Sequence, residues 1–99
     1  MIRHIVCWTL NSSDPDERAA AVAGMRERLE VLPQVIPGLR SLTVSPDVGD
    51  VDANWDVVLV SEHDDRAALA AYIVHPAHVE AAGFTRSVVA ERACVDVEL

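Results

Sequence analysis

Val57-Val58-Leu59-Val60 is apolar at four successive positions. A strand turns successive side chains to opposite faces, so a strand built on this run must be covered on both. The chain has 99 residues, which predicts one domain, residues 1–99. A domain of this length buries roughly two-thirds of its unfolded surface, enough for one core. Half of the residues are apolar (51%) but only 4% are aromatic, so the core is expected to be Val, Leu, Ile and Ala.

The pattern around this run is regular. Ile2 to Leu10 alternates as a strand, with Ile2, His4, Val6, Trp8 and Leu10 on the more apolar face. Asp14, Pro15 and Glu17 form a helix start, with an N-cap, a first-turn proline and a capping-box glutamate. Arg18, Val22, Met25, Leu29 and Leu32 recur at helical spacing, and Pro33 is the expected stop. Ile36-Pro37-Gly38 is a turn. Leu39 to Ser45 alternates as a second strand, with a slip in register near its start. An acidic loop from Pro46 to Asn54 precedes a third strand, Trp55 to Ser61. Asp64 or Asp65 caps a helix through Tyr72, and Pro76 opens a further helical turn or two that Gly83 is expected to end. A short helical piece over Phe84 to Val89 and a last strand, Arg92 to Leu99, complete the chain. The order β-α-β-β-α-β predicts an α+β, ferredoxin-like fold with a four-stranded antiparallel sheet.

Two helices cover one face of such a sheet. The other face, apolar by virtue of the third strand, then needs a partner, and a second copy of the chain is the simplest one. A homodimer is therefore expected. The formal net charge of −8 opposes binding to nucleic acid or an anionic membrane. No apolar segment of signal-peptide length precedes Asn11, which predicts a cytoplasmic location. The two cysteines, Cys7 and Cys94, form no CxxC pair and are expected to be reduced. Neighbouring first and last strands would bring them near each other. No glycine pattern for phosphates occurs, and the loop carrying Asp47, Asp50 and Asp52 lacks the glycine and distal glutamate of a calcium loop.

The remaining chemistry lies in Tyr72-Ile73-Val74-His75-Pro76-Ala77-His78. His78 can exchange a proton near neutral pH. Tyr72 can hydrogen-bond a developing enolate. His75, before a proline, is read as a cap. His75 and His78 are three residues apart, but Pro76 separates them and there is no clear third ligand, so no metal is expected. His63, beside Asp64 and Asp65, is read as a solvated loop residue. His4 is read as a core histidine that becomes a ligand contact if its face lines a cavity. Trp8 and Trp55 are read as core or dimer anchors, with Trp8 a candidate contact in a pocket.

The Tyr-x-x-His-Pro-x-His motif resembles the stress-responsive A/B barrel (Dabb) family. His4-Ile5-Val6, the Ile36-Pro37-Gly38 turn and Asp96 agree in place. The resemblance spans essentially the whole chain. It implies a dimeric α/β barrel, in which two sheets face each other with helices outside. One plant branch resembles polyketide cyclases, which close a poly-β-keto chain without a cofactor. The resemblance carries that branch's tyrosine and last histidine onto Tyr72 and His78, and its first-strand histidine onto His4. The chain departs from the branch at Val57, where a histidine stands there, in the absence of a tyrosine from its first helix, and at Trp8-Thr9.

The leading expectation is thus a homodimer that binds or transforms a small carbonyl or phenolic metabolite by cofactor-free acid–base chemistry. His78 and Tyr72 are the catalytic candidates, and His4 and Trp8 the ligand contacts. One alternative is a non-catalytic stress-associated dimer in which the motif only locks the second helix. Another is a cofactor-independent monooxygenase that would call on Trp8 or Trp55.

Overall fold

The computed structural model describes residues 1–99. Strand β1 (Ile2–Leu10) buries Ile2, His4, Val6 and Trp8 against the helices, as its alternation requires. Helix α1 (Pro15–Leu29) starts at Asp14, whose carboxylate accepts from the Glu17 amide at 2.9 Å. The Glu17 carboxylate takes a hydrogen bond from the Ser12 hydroxyl at 2.6 Å. Ala21, Met25 and Leu29 form the buried stripe of α1. The helix ends at Leu29, short of Pro33, and Leu32–Gln34 is a separate 3-10 turn.

Strand β2 (Leu39–Pro46) enters with a register shift between Leu39 and Ser41. Before it, Gly38 has φ +83°, and a side chain there would collide with Ala68 Cβ at 2.8 Å. Strand β3 (Val57–His63) corrects two expectations. Trp55 lies outside it, and it runs two residues past Ser61, placing His63 in the sheet. Helix α2 (Arg66–Val74) is capped by Asp65, because Asp64 is engaged by the Arg40 guanidinium.

His75 separates α2 from α3 (Pro76–Val88) and caps the latter, its Nδ1 accepting from the Ala77 amide at 3.1 Å. Helix α3 is continuous through Gly83, so neither the stop at Gly83 nor a separate helical piece after it exists. Strand β4 (Val89–Glu98) follows directly.

The sheet order is β2-β3-β1-β4, with every pairing antiparallel. The fold is ferredoxin-like, α+β. On the helix side sits a core of Ile2, Val6, Met25, Leu42, Val44 and Leu59 with their neighbours. The other side has no helix. Registers place Thr43, Val60, Ile5 and Val95 in one row across it, with Ser45, Val58, Cys7 and Ala93 in the next. Ala93 stands opposite Cys7, and Cys94 opposite Val6. The two thiols therefore sit on opposite faces of the sheet, and both are free. No helix is long and apolar enough to cross a membrane.

Candidate functional site

Tyr72 lies in the last turn of α2 with its side chain pointed into the core, only 1% exposed. The extended backbone at His75 then redirects the chain, so α3 returns past Tyr72. This brings the His78 ring against the Tyr72 ring, centroids 4.2 Å apart. His4 on β1 and His63 on β3 approach the same tyrosine from the sheet, at 6.2 and 4.8 Å. Three histidines from three elements thus surround one buried phenol.

His63 overturns its expected place as a solvated loop residue. It is fully buried, and its Nε2 lies 2.9 Å from the Ser61 hydroxyl. Its Nδ1 is buried without a partner. Burial lowers its pKa, and the nearby His4 adds to that. The signal for its burial was present in sequence, since Val57, Leu59, Ser61 and His63 keep the strand alternation. Two following aspartates masked it.

A cavity of about 320 Å³ opens beside Tyr72 and His78. Val6, Trp8, Leu29 and Leu59 give it an apolar floor, and His4 reaches its edge. Thr85, Arg86 and Arg92 supply polar groups that sequence reasoning did not single out. Thr85 lines the cavity with a hydroxyl that is buried and unpartnered, which makes it a ready contact for a ligand. Trp55 is not here; it stands on the opposite side of the sheet beside Cys7, Val58 and Ala93. The structure therefore brings together Tyr72, His78, His4 and Trp8, and leaves Trp55 out.

The protonation states follow from the surroundings. His78 Nδ1 lies 3.1 Å from the Ile73 carbonyl, which can only accept, so Nδ1 carries the hydrogen. Its Nε2 is then the basic nitrogen. Burial lowers the His78 pKa, and repulsion from His4, Arg86 and Arg92 adds to this against the Ile73 hydrogen bond. The ring is neutral at neutral pH. Burial pushes the Tyr72 phenol well above its usual pKa, so it remains a hydrogen-bond donor. A neutral imidazole base beside a protonated phenol, in a mostly apolar cavity, can take a proton at one point and stabilise an oxyanion at the next. His75 and His78 do not converge on a common ion, since one caps α3 and the other binds Ile73.

A larger groove of about 880 Å³ runs between α1 and the β2–β3 connection. Its central charges are used structurally: Arg18 pairs with Asp56 at 2.7 Å, and Asp56 accepts from the Leu10 amide at 2.8 Å. The smaller cavity is the one lined by histidine and tyrosine side chains.

Comparison with known proteins gives a consistent result. The profile of the family described as Stress responsive A/B Barrel Domain matches residues 2–99. An uncharacterized protein of Streptomyces coelicolor is 33% identical over 78 residues, 79% of each chain. A dimeric protein of unknown function with a ferredoxin-like fold from Bacteroides fragilis superposes with a TM-score of 0.88 at 30% identity, covering 99% of this chain and 95% of that one. A dimeric ferredoxin-like protein of unknown function from Thermobifida fusca gives 0.80 at 27% identity, covering 99% and 90%.

Proposed function

The chain belongs to the stress-responsive A/B barrel domain family, and from this we infer that it is a homodimeric domain that binds a small carbonyl or phenolic metabolite beside Tyr72 and His78. The bound molecule is transformed there by cofactor-free acid–base chemistry of the polyketide-cyclase kind. The observation that carries this reading is the contact between Tyr72 and His78, 4.2 Å between rings, at the wall of a 320 Å³ cavity. His78 Nε2 takes a proton from a carbon next to a carbonyl. The Tyr72 hydroxyl donates to the enolate oxygen that develops. His4 and Trp8 position the ligand. Self-association is supported by the dimeric state of the Bacteroides fragilis and Thermobifida fusca proteins and by the helix-free apolar sheet face.

The test uses a panel of small 1,3-dicarbonyl and phenolic compounds, followed by proton NMR for binding and for turnover. The wild-type protein is expected to bind and convert at least one of them. His78→Ala should abolish conversion, and Tyr72→Phe should reduce it by about two orders of magnitude, the usual worth of one oxyanion donor. If turnover survives in His78→Ala, the mechanism fails. If both variants shift only the melting temperature, the motif merely locks α2, as in the non-catalytic alternative.

A further inference from the structure

A second cluster lies between β1 and β4, on the helix side of the sheet. His4 pairs with Asp96 and Val6 with Cys94 in the β1–β4 register, so His4, Cys94 and Asp96 share one face. His4 Nδ1 is 2.5 Å from Asp96 Oδ1 and 3.5 Å from Cys94 Sγ, and Cys94 Sγ is 3.8 Å from Asp96 Oδ1. Thus one imidazole nitrogen, one thiol and one carboxylate oxygen converge within 4.8 Å.

We propose that His4, Cys94 and Asp96 form a three-ligand site for a zinc-type divalent cation. Zinc bound tetrahedrally to N, S and O at ordinary bond lengths sets its ligand atoms about 3.3 to 3.6 Å apart. The imidazole–thiol separation already has that value, and the thiol–carboxylate separation is slightly longer. Only the histidine–aspartate pair must open, by roughly 0.8 Å, and Asp96 is a half-exposed side chain on an edge strand that can move. The imidazole is the fixed member. Its side chain is 7% exposed and its ring is held edge-on by His63 and Tyr72. Cys94 and Asp96 are exposed, which gives the ion a path from solvent. The donor set selects the metal: a thiolate with an imidazole suits zinc and later first-row ions and does not suit magnesium or calcium.

The obvious rival use of these residues is a cysteine nucleophile with a histidine base and an aspartate behind it. The geometry opposes it. That relay needs both ring nitrogens, one for the thiol and one for the carboxylate, whereas here both partners face the same Nδ1. Three protein ligands leave a fourth position for water or an anionic ligand.

The test is a titration of chelator-treated protein with Zn²⁺ and with Co²⁺, followed by calorimetry and absorption. One ion per protomer is expected, with a near-ultraviolet thiolate-to-cobalt charge-transfer band. Cys94→Ser should remove the band, and Asp96→Asn should weaken binding about tenfold or more. Both positions are exposed, so both variants should keep the wild-type circular dichroism. Cys7→Ser, on the other sheet face, should behave as wild type. Absence of the band from the wild-type protein, its persistence in Cys94→Ser, or unchanged affinity in Asp96→Asn overturns the site.

Discussion

His63 holds a buried ring nitrogen with no partner, next to the phenol of Tyr72. Such an atom costs stability, and a proton on that ring would cost more. The sign follows from its lowered pKa and that of His78. Above the unfolded-state pKa of about 6.5 both states are neutral and no term arises. Below it, the unfolded chain takes protons that the folded chain refuses, so stability falls as pH falls. Thermal unfolding should therefore show a melting temperature that declines from pH 7 toward pH 5. The double variant Ser61→Ala/His63→Phe removes both members of the buried pair and keeps the volume close. It should remain within about 1 kcal/mol of wild type at pH 7.5 and flatten that decline. An undiminished decline in the double variant would show that His63 is not its source. The same lowered pKa at His78 predicts that kcat/KM for a converted substrate falls on an acidic limb centred below the pH at which a free imidazole would titrate, measurable as a pH–rate profile.

Two glycines show how helix-level features reach the cavity, and they predict opposite signs. Gly24 lies in α1 where α3 crosses it. A Cβ built there would overlap the Phe84 ring, which also carries the Arg28 guanidinium at 3.9 Å. Gly24→Ala must displace the Phe84 ring, or α3 with it, at about 1 to 3 kcal/mol, against a helix-propensity gain of about 1 kcal/mol. The net expectation is destabilisation by about 1 kcal/mol and weaker ligand binding, because α3 is the cavity wall. Gly83 has open space, with Arg86 Nη2 at 3.9 Å as its nearest neighbour. Gly83→Ala should stabilise by about 0.5 to 1 kcal/mol, read from urea midpoints. Gly83 also shows where sequence reasoning reached its limit. The strands were legible because their alternation is local, and the Tyr72–His78 motif was legible because its spacing is. A glycine inside a helix looks like a stop unless the packing of its neighbours is known, and Ala81 and Thr85, on either side of it, are buried. His63 was missed for a related reason: the aspartates after it look like loop, yet Asp64 is used by Arg40 and Asp65 by the α2 amide of Ala68.

For the whole molecule the decisive feature is the sheet face without helices. Its central row runs Thr43, Val60, Ile5, Val95, and its margin carries the Arg3–Glu62 ion pair at 2.8 Å. Val95 is 62% exposed in the single chain, and Val97 behind it 39%. An apolar surface with a charged margin is the composition of an interface between copies rather than of a solvated face. A two-fold pairing would set the Val60 side chains of both protomers in the apolar middle, where a carboxylate finds no partner. Each protomer already carries a net charge of −8, so an added negative charge also meets an acidic partner. Val60→Glu should therefore shift sedimentation from dimer to monomer, with a fall in melting temperature that grows as protein concentration rises, because only the wild type gains stability from association. Since Val60 points away from Tyr72 and His78, their ring contact should persist in the monomer. A Val60→Glu protein that still sediments as a dimer would place the interface elsewhere on the molecule.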